Sequence, residues 1–305
     1  MESGLTQSQP VLTNVNETLE TSRYLTPYES PLIINSCEFS LVTNKLREFF
    51  VSKGFVEVHT QNRLSILAAC EDPFTVSTFN YTNMVWPLPQ TGQMWLEYEL
   101  LKNPTVPGYF CVSTSYRNEP NPVEGRHNLI FPMFEFEMKG GMEEMIELEK
   151  ELLLHLGYDA SKFLRGSYLD VAEEFGTKEI EHEHEQKLYD DKTPTYFLTD
   201  FPEYTSPFWN MKRHESGVTA NKVDIIMSGQ ETIGSAERET DKLMMLDRFK
   251  SIMEGSYKDK MYQLFGEERT MSEMKDFLNF DFIKRSGGGI GVTRLIRSMK
   301  LEGLM

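Results

Sequence analysis

The sequence predicts an α+β domain in which a mostly antiparallel sheet is flanked by helices. Strand-like stretches with period-two alternation cluster together, helical stretches are segregated from them, and no internal repeat or interdomain linker interrupts the 305 residues. This arrangement is typical of α+β domains. With 39% hydrophobic and 12% aromatic residues, the chain can fill a large core, which excludes global disorder.

The first predicted elements follow from local patterning. Residues 1–30 are polar and predict an N-terminal arm. The remainder, 31–305, is predicted to form one domain. Apolar residues at helical spacing predict a helix from Ser36 that Gly54 ends. The alternation in 55–60 predicts a strand.

The remaining elements are predicted in the same way. The aromatic stretch 72–116 is strand-like but is interrupted by Pro87, Pro89, Gly92, Pro104 and the Pro–Gly pair at 107–108. The stretch 117–127 predicts a long polar loop, and 131–138 alternates as a strand. The later elements are acidic helices over 142–156 and 171–193, short strands within 195–238, a helix over 240–264, and a Gly-rich strand or turn from Ser286 that leads into a C-terminal helix.

Charge and cysteine content exclude several classes of protein. With 31 basic and 47 acidic residues the net charge is −16, which opposes a long nucleic-acid footprint. No apolar run approaches the roughly 20 residues of a membrane span, and the N-terminus lacks a secretory signal pattern. Cys37, Cys70 and Cys111 are too scattered for a disulfide framework, so we expect a reducing, cytoplasmic location.

One group of candidate functional residues begins with Arg117 and Glu119. An Arg at a strand end can hold a phosphate, and a Glu two residues later projects from the same face. Arg126 and His127 on the following loop could hold terminal phosphates, and Phe131 could stack on a base. A structural salt bridge is the alternative for any isolated Arg–Glu pair.

A second group is spaced seven residues apart: Asp224, Glu231 and Arg238. Two carboxylates on neighbouring strands can share Mg²⁺, which also binds nucleotide phosphates. The alternative is a pair of unrelated surface acids. A third group, the glycines of 287–291 with Arg294, permits close approach of a ligand but lacks the spacing of a phosphate-binding P-loop.

In their order along the chain, these groups resemble the class II aminoacyl-tRNA synthetases, most closely the asparaginyl/aspartyl branch, from Asn16 to Leu301. The resemblance to motifs 1, 2 and 3 lies in 53–60, 116–137 and 287–294. The linking segments that also match are 92–97, 183–185, 199–211 and 231–239.

The resemblance implies a role for each matching residue. The residues that would hold ATP are Arg117 at the α-phosphate, Glu119 at the adenine amino group, Phe131 stacked on adenine, Arg126 and His127 at the β- and γ-phosphates, and Arg294 at the other adenine face or the γ-phosphate. Those that would hold the amino acid are Glu71 and Gln93 at its α-ammonium, Glu135 and Arg238 at its side chain, and Arg117 at its carboxylate; Asp224 and Glu231 would bind Mg²⁺.

Some positions depart from the family pattern. Gln61 replaces the motif 1 proline, Ile130 replaces the usual Glu before the stacking Phe, and Leu96 replaces the Lys with which aspartyl enzymes recognise their substrate. Thr293 replaces an acidic residue, as a small hydroxyl residue does in synthetase-like asparagine synthetases. The resemblance begins so close to the N-terminus that we expect no anticodon-binding domain before it.

These features together favour a free-standing paralogue of asparaginyl-tRNA synthetase. We expect ATP- and Mg²⁺-dependent adenylation of aspartate or a close relative, followed by amide formation with ammonia or another small amine. The expected partners are ATP, a small amino-acid substrate and a second copy of the chain; the net charge disfavours tRNA, and no membrane partner is expected. Transfer of the aminoacyl group to tRNA or another carrier, and an inactive regulatory paralogue, remain the alternatives.

His182 and His184 lie among glutamates. We interpret this stretch as an acidic helix in preference to a metal site.

Overall fold

The computed structural model describes residues 34–61, 64–66, 71–123, 126 and 128–305. The predicted N-terminal arm lies outside these described residues. Ser36–Met305 forms one compact unit. Within the described residues, no helix is both long and apolar enough to cross a membrane.

A large sheet forms the centre of this unit. The strands are β1 (Val56–Glu57), β2 (Thr78–Tyr81), β3 (Met84–Pro87), β4 (Gly108–Tyr116), β5 (Ile130–Lys139), β6 (Phe163–Ser167), β7 (Thr195–Pro202), β8 (Thr219–Met227), β9 (Gln230–Glu237) and β10 (Arg285–Gly291). Eight of them form the sheet in the order β1-β4-β5-β10-β9-β8-β7-β6, and β2 and β3 form a separate hairpin. Only the edge pairs β1–β4 and β6–β7 are parallel within this sheet, which confirms the predicted α+β class.

Helices pack around the sheet. They are α1 (Ser36–Ser52), α2 (Gln93–Lys102), α3 (Met142–Leu156), α4 (Tyr168–Phe175), α5 (His182–Asp191), α6 (Lys242–Ser251), α7 (Ser256–Phe265), α8 (Glu267–Leu278) and α9 (Val292–Leu301). The predicted helices from Ser36, over 142–156 and at the C-terminus are confirmed, as is the strand over 131–138.

The two faces of β5 have different roles because successive strand side chains point to opposite faces. Phe134 and Phe136 pack against Phe50 of α1, with ring centroids 5.2 Å apart in both pairs. The alternate residues, from Phe131 to Glu137, project to the opposite face. This alternation commits one face of the sheet to the core and leaves the other for polar side chains.

Four predicted elements differ from the structure. The strand-like region 72–116 contains the helix α2, whose buried face includes the polar residues Gln93 and Glu97 and is therefore not uniformly apolar. The predicted helix over 171–193 is two helices, because Gly176 ends α4 in the left-handed region at φ 66°. The alternation in 55–60 forms only the two-residue strand β1.

The predicted helix over 240–264 is also two helices. Met253 and Glu254 have positive φ values of 54° and 56°, which breaks the helix between α6 and α7. These helices, with α8, enclose the buried Trp209, whose ring lies 5.9 Å from that of Phe249 and 5.8 Å from that of Phe277. Trp209 thereby anchors the loop that connects β7 to β8.

Candidate active site

Two adjoining cavities lie on the polar face of the sheet, above the glycines of β10. The first cavity has a volume of about 240 Å³ and the second about 230 Å³. Arg117, Glu231 and Gly234 line both. A ligand with two parts could therefore occupy both cavities and meet Arg117 where they join.

The first cavity brings together residues that are far apart in the sequence. Its lining includes Arg117, Glu119, Arg126, Phe131, Glu231 and Arg294. The Arg117 guanidinium carbon lies 5.6 Å from the centroid of the Phe131 ring. A flat aromatic ring beside several arginines suits a base joined to phosphates. Every described residue predicted to hold ATP thus lines one cavity, while His127 lies outside the described residues.

Glu185, on α5, connects the residues at the end of this cavity where Arg126 and Arg294 lie. Its carboxylate accepts hydrogen bonds from the Arg126 guanidinium and, at 3.1 Å, from the backbone N–H of Glu231. The second Arg126 amino group donates to the Gly229 carbonyl at 3.2 Å. Arg294 donates from Nη1 to the Glu231 carbonyl at 2.7 Å. The two arginines are therefore fixed by the backbone around β9.

Asp224 and Glu231 approach each other above Gly234, as the Mg²⁺ prediction requires. A Cβ added at Gly234 would lie 3.0 Å from Glu231 Oε1 and 3.4 Å from Asp224 Oδ1. Asp224 Oδ1 is buried and has no hydrogen-bond partner among the described residues. Asp224 Oδ2 accepts from Lys222 Nζ at 2.7 Å. Two carboxylates, one with an unused oxygen, fit a hard divalent cation.

The two carboxyl groups have opposite pKa shifts. Burial raises the pKa of Asp224 to about 7, in part offset by Lys222. Burial also raises the pKa of Glu231, but nearby cations outweigh it and hold that pKa below its usual value. Those cations are Lys222, Arg294, Arg117 and Arg126. Glu231 is therefore ionised at neutral pH, and a bound cation would favour ionisation of Asp224 as well.

The second cavity contains Arg238, which was predicted to contact the substrate side chain. Its walls come from Phe208 and Met211 of the loop after β7, from Lys222, and from the Gly287 backbone. Arg238 belongs to a buried cluster with Glu137, Glu97 and Arg285. It donates from Nη2 to Glu137 Oε2 at 3.2 Å.

The other residues predicted to bind the amino acid lie elsewhere. Glu135 is buried and lines neither cavity; it accepts from the Gly92 N–H at 2.8 Å and the Ser113 hydroxyl at 2.5 Å. Burial raises its pKa. Neighbouring donors thus contact the Glu135 carboxylate, and its predicted contact with the substrate stays a prediction.

Gln93 and Glu71 are also separate from the second cavity. Gln93 donates from Nε2 to the Phe136 carbonyl at 3.1 Å and to the Glu137 carboxylate. Glu71 accepts from the Gln90 N–H at 3.3 Å and lines a separate small cavity of about 30 Å³. The predicted binding of an α-ammonium group by these two residues stays a prediction.

The residues that the sequence did not reveal are Glu185, Lys222, Glu137 and Arg285 as parts of the site. Glu185 and Glu137 lie within matched segments but have no predicted role. Arg285 pairs with Glu97, which is distant in sequence, and Lys222, which pairs with Asp224, lies in no motif. The histidine motif is structural: His184 is buried, and its Nδ1 accepts from the Glu181 N–H at 3.0 Å. The exposed trio Glu181, His182 and Glu183 could approach a cation, with ligand atoms within 4.8 Å, but has no buried donor.

A family model described as tRNA synthetases class II (D, K and N) matches residues 17–302. The chain belongs to this family. This match confirms the family that the sequence motifs predict, and the sheet described above has the fold expected of it. Members of the family are ATP-dependent ligases that form aminoacyl-adenylates. Class II synthetases generally use Mg²⁺, which agrees with the pair of carboxylates.

Curated relatives are similar over most of this chain. An aspartate–tRNA(Asp) ligase of Thermoplasma acidophilum is 23% identical over 286 residues, covering 85% of this chain and 63% of the relative. A lysine–tRNA ligase of Helicobacter pylori is 24% identical, covering 84% and 59%. The chain thus spans little more than half of the length of the curated relatives it matches.

Solved structures share the fold. Asparaginyl-tRNA synthetase from Pyrococcus horikoshii, complexed with asparaginyl-adenylate, has a TM-score of 0.71 at 20% identity and covers 86% of this chain and 64% of its own. The Entamoeba histolytica enzyme with asparaginyl-adenylate has a TM-score of 0.70 at 19% identity and covers 87% and 63%. At this identity the similarity establishes the fold alone.

Proposed function

We propose that the chain uses ATP and Mg²⁺ to adenylate aspartate or a close relative. The observation that supports this most is the convergence of Arg117, Phe131, Arg294, Asp224 and Glu231 on two cavities that meet. ATP would lie in the first cavity with its base at Phe131. The amino acid would lie in the second, with its reacting carboxylate at Arg117.

Activation needs positioning more than acid–base catalysis. A carboxylate oxygen of the amino acid attacks the α-phosphorus, the bond to the β-phosphate oxygen breaks, and pyrophosphate leaves. Arg117 lies at the junction of the cavities, where its guanidinium can bind both reacting groups and offset their repulsion. Arg126 and Arg294 would hold the departing phosphates. Bound Mg²⁺ would supply further neutralisation of phosphate charge.

We further propose that a small amine captures the adenylate without tRNA. The amine nitrogen attacks the acyl carbon, AMP leaves with the electron pair of the broken bond, and the nitrogen loses a proton to give an amide. Support comes from the net charge of −16, which opposes phosphate-rich partners at long range. Synthesis of asparagine from aspartate and ammonia is the simplest case.

Transfer of an aminoacyl group to tRNA is the second candidate. The observation that favours it is the balance of charges around Arg238, which suits an uncharged side chain such as that of asparagine. The similar Thermoplasma acidophilum enzyme is an aspartate–tRNA(Asp) ligase.

ATP–pyrophosphate exchange with aspartate, asparagine and their analogues tests the adenylation. We expect exchange with one of them, and a loss of about 100-fold or more in Arg117→Ala, because a charge aimed at the transition state is removed. Arg165→Ala is the matched control, since Arg165 pairs with the exposed Glu143 away from both cavities. Absence of exchange with every amino acid, in protein that binds ATP, would contradict the proposal.

A product assay separates the two acceptors. Labelled aspartate, ATP and an ammonium salt should give labelled amide and AMP without tRNA. Labelled aminoacyl-tRNA from asparagine and total tRNA, with no amide formed, would instead establish the second candidate.

The proposal includes a homodimer and a cytoplasmic location. Exposed apolar residues on α1 and on the edge strand β1 offer a surface for a second copy: Leu41 and Val51 of α1 are 46% and 59% exposed, and Val56 of β1 is 45% exposed. Sedimentation equilibrium tests the dimer, and a monomer at micromolar concentration would contradict it. The sparse, scattered cysteines support the cytoplasmic location.

A further inference from the structure

Arg238 belongs to a buried cluster of two arginines and two glutamates. Glu97, Glu137, Arg238 and Arg285 are each at most 2% exposed. Arg285 donates to Glu97 Oε2 from Nη2 at 2.7 Å and from Nε at 3.1 Å. Arg238 is nearest to Glu137, with Nη2–Oε2 at 3.2 Å and Nε 3.4 Å from both carboxylate oxygens. Each arginine thus has a principal carboxylate of its own.

The position of the cluster relates it to the substrate. Arg238 lines the second cavity, whereas Glu137 lines neither cavity. The guanidinium of Arg238 therefore lies between the cavity and a carboxylate of the protein. A carboxylate entering the cavity would compete with Glu137 for the same cation.

Charge balance determines how this competition ends. With both glutamates ionised, the cluster holds two positive and two negative charges. Lys222, which lines the same cavity, is already paired with Asp224. A substrate carboxylate at Arg238 would therefore give the buried cluster three anions for two cations, and an unpaired buried charge is costly. A neutral amide adds no charge and can still accept a hydrogen bond from the guanidinium.

We propose that Glu137 sets the relative affinity of the site for a carboxylate and an amide side chain: its negative charge lowers the affinity for the carboxylate relative to the amide, and removal of that charge raises it. Glu137 does this through Arg238 without touching the substrate. The inference rests on the proposed function in taking the second cavity as the amino-acid site.

The titration of Glu137 supports this competition. Burial raises the pKa of Glu137 to about 7, against the opposing effect of Arg238. The groups facing it are Arg238, Arg285 on β10, Glu97 and Gln93 on α2, and Tyr109 opposite it on β4. Of these, the two arginines lower its pKa and Glu97 raises it. A neutral Glu137 leaves the cluster with one excess positive charge.

Isothermal titration calorimetry tests the proposal. It measures the binding of aspartate and of asparagine in the presence of a non-hydrolysable analogue of ATP. Glu137→Gln should raise the affinity ratio of aspartate to asparagine at pH 8 by at least about tenfold, as expected for a charge pair in close contact. Glu149→Gln is the matched control, because Glu149 is equally buried but lines neither cavity. This control should leave the ratio within about twofold.

The wild-type protein provides a second test that needs no variant to fold. Lowering the pH from 8 to 6 should raise the aspartate-to-asparagine ratio, since Glu137 takes up a proton in that range. The same change should have a smaller effect on the ratio in Glu137→Gln, where Asp224, with a pKa of about 7, is the remaining group of the second cavity that titrates in this range.

Each outcome has a distinct meaning. An unchanged ratio in folded Glu137→Gln, or a wild-type ratio that does not vary with pH, would overturn the role of Glu137. Failure of both amino acids to bind would also overturn it. Binding with the predicted ratios but no pyrophosphate exchange would uphold Glu137 and reject the proposed adenylation.

Discussion

Replacement of Gly287 by Ala tests the packing behind the second cavity. An added Cβ would lie 2.5 Å from the Phe136 carbonyl oxygen and 2.7 Å from Gln93 Nε2, and closer still to the Glu137 carboxylate. The carboxylate would have to move away from Arg238, and the backbone oxygen cannot move without disturbing the ladder between β5 and β10.

The magnitude follows from three contributions. Overpacking costs about 1–3 kcal/mol. Disruption of a buried ion pair costs about 3–5 kcal/mol when complete, and a shifted carboxylate loses part of this. Alanine lowers the conformational entropy of the unfolded chain relative to glycine, which offsets about 0.4–1 kcal/mol of this loss. We therefore expect the free energy of unfolding to fall by about 3 kcal/mol and Tm to fall by about 5 °C.

Thermal unfolding followed by circular dichroism measures this effect. Gly289→Ala is the control on the same strand, because its added Cβ would meet the flexible end of Met133 at 2.7 Å and Glu135 Cγ at 3.7 Å. Its Tm should change by about 2 °C or less. Equal Tm values for the two variants would refute the assignment of Gly287 as a position of obligatory close approach.

Two further predictions concern buried and bridging glutamates. Burial raises the pKa of Glu149 to about 8. The folded state therefore keeps a proton that the unfolded state releases near the ordinary glutamate pKa of 4.5. The free energy of unfolding should fall as the pH rises between these two values. Glu149→Gln should remove this loss and raise stability at pH 8 by several kcal/mol, about 1.4 per pKa unit, with no gain at pH 4; equal stability gains at both pH values in denaturant titrations would contradict this. Glu185→Gln should raise the KM for ATP about tenfold, since one charged carboxylate positions both Arg126 and the Glu231 backbone. Glu183→Gln on the exposed side of α5 should leave steady-state kinetics unchanged, and identical KM values in the two variants would disprove the bridging role.

The residues predicted to hold ATP come together in the structure more completely than those predicted to hold the amino acid. Arg117, Phe131 and Arg294 occur in motifs that resemble those of the class II synthetases, and that resemblance implies their convergence. Glu135 shares the face of Phe131, but its environment depends on Thr91 and Gly92, which approach it from another element. Periodicity fixes the face of a residue and does not determine its neighbours.

The buried ion cluster had no local signal for the same reason. Arg285 and Glu97 are 188 residues apart, and Arg238 and Glu137 are 101 apart. Helix α2 was missed because two of its buried positions are polar, namely Gln93 and Glu97. Both residues serve the site, so the same contacts that build the cluster obscured the amphipathic pattern of the helix.

Strand β10 gives the site a floor of main-chain atoms. Gly287, Gly289 and Gly291 present no side chains to the two cavities, and Gly288 lies against Ser235 on the opposite face. A floor of this kind offers few positions at which a substitution could alter substrate preference without blocking the site. Changes in specificity during divergence are therefore confined to the flanking walls, above all β5, β8 and the loop that contains Phe208, where residues can be exchanged one at a time.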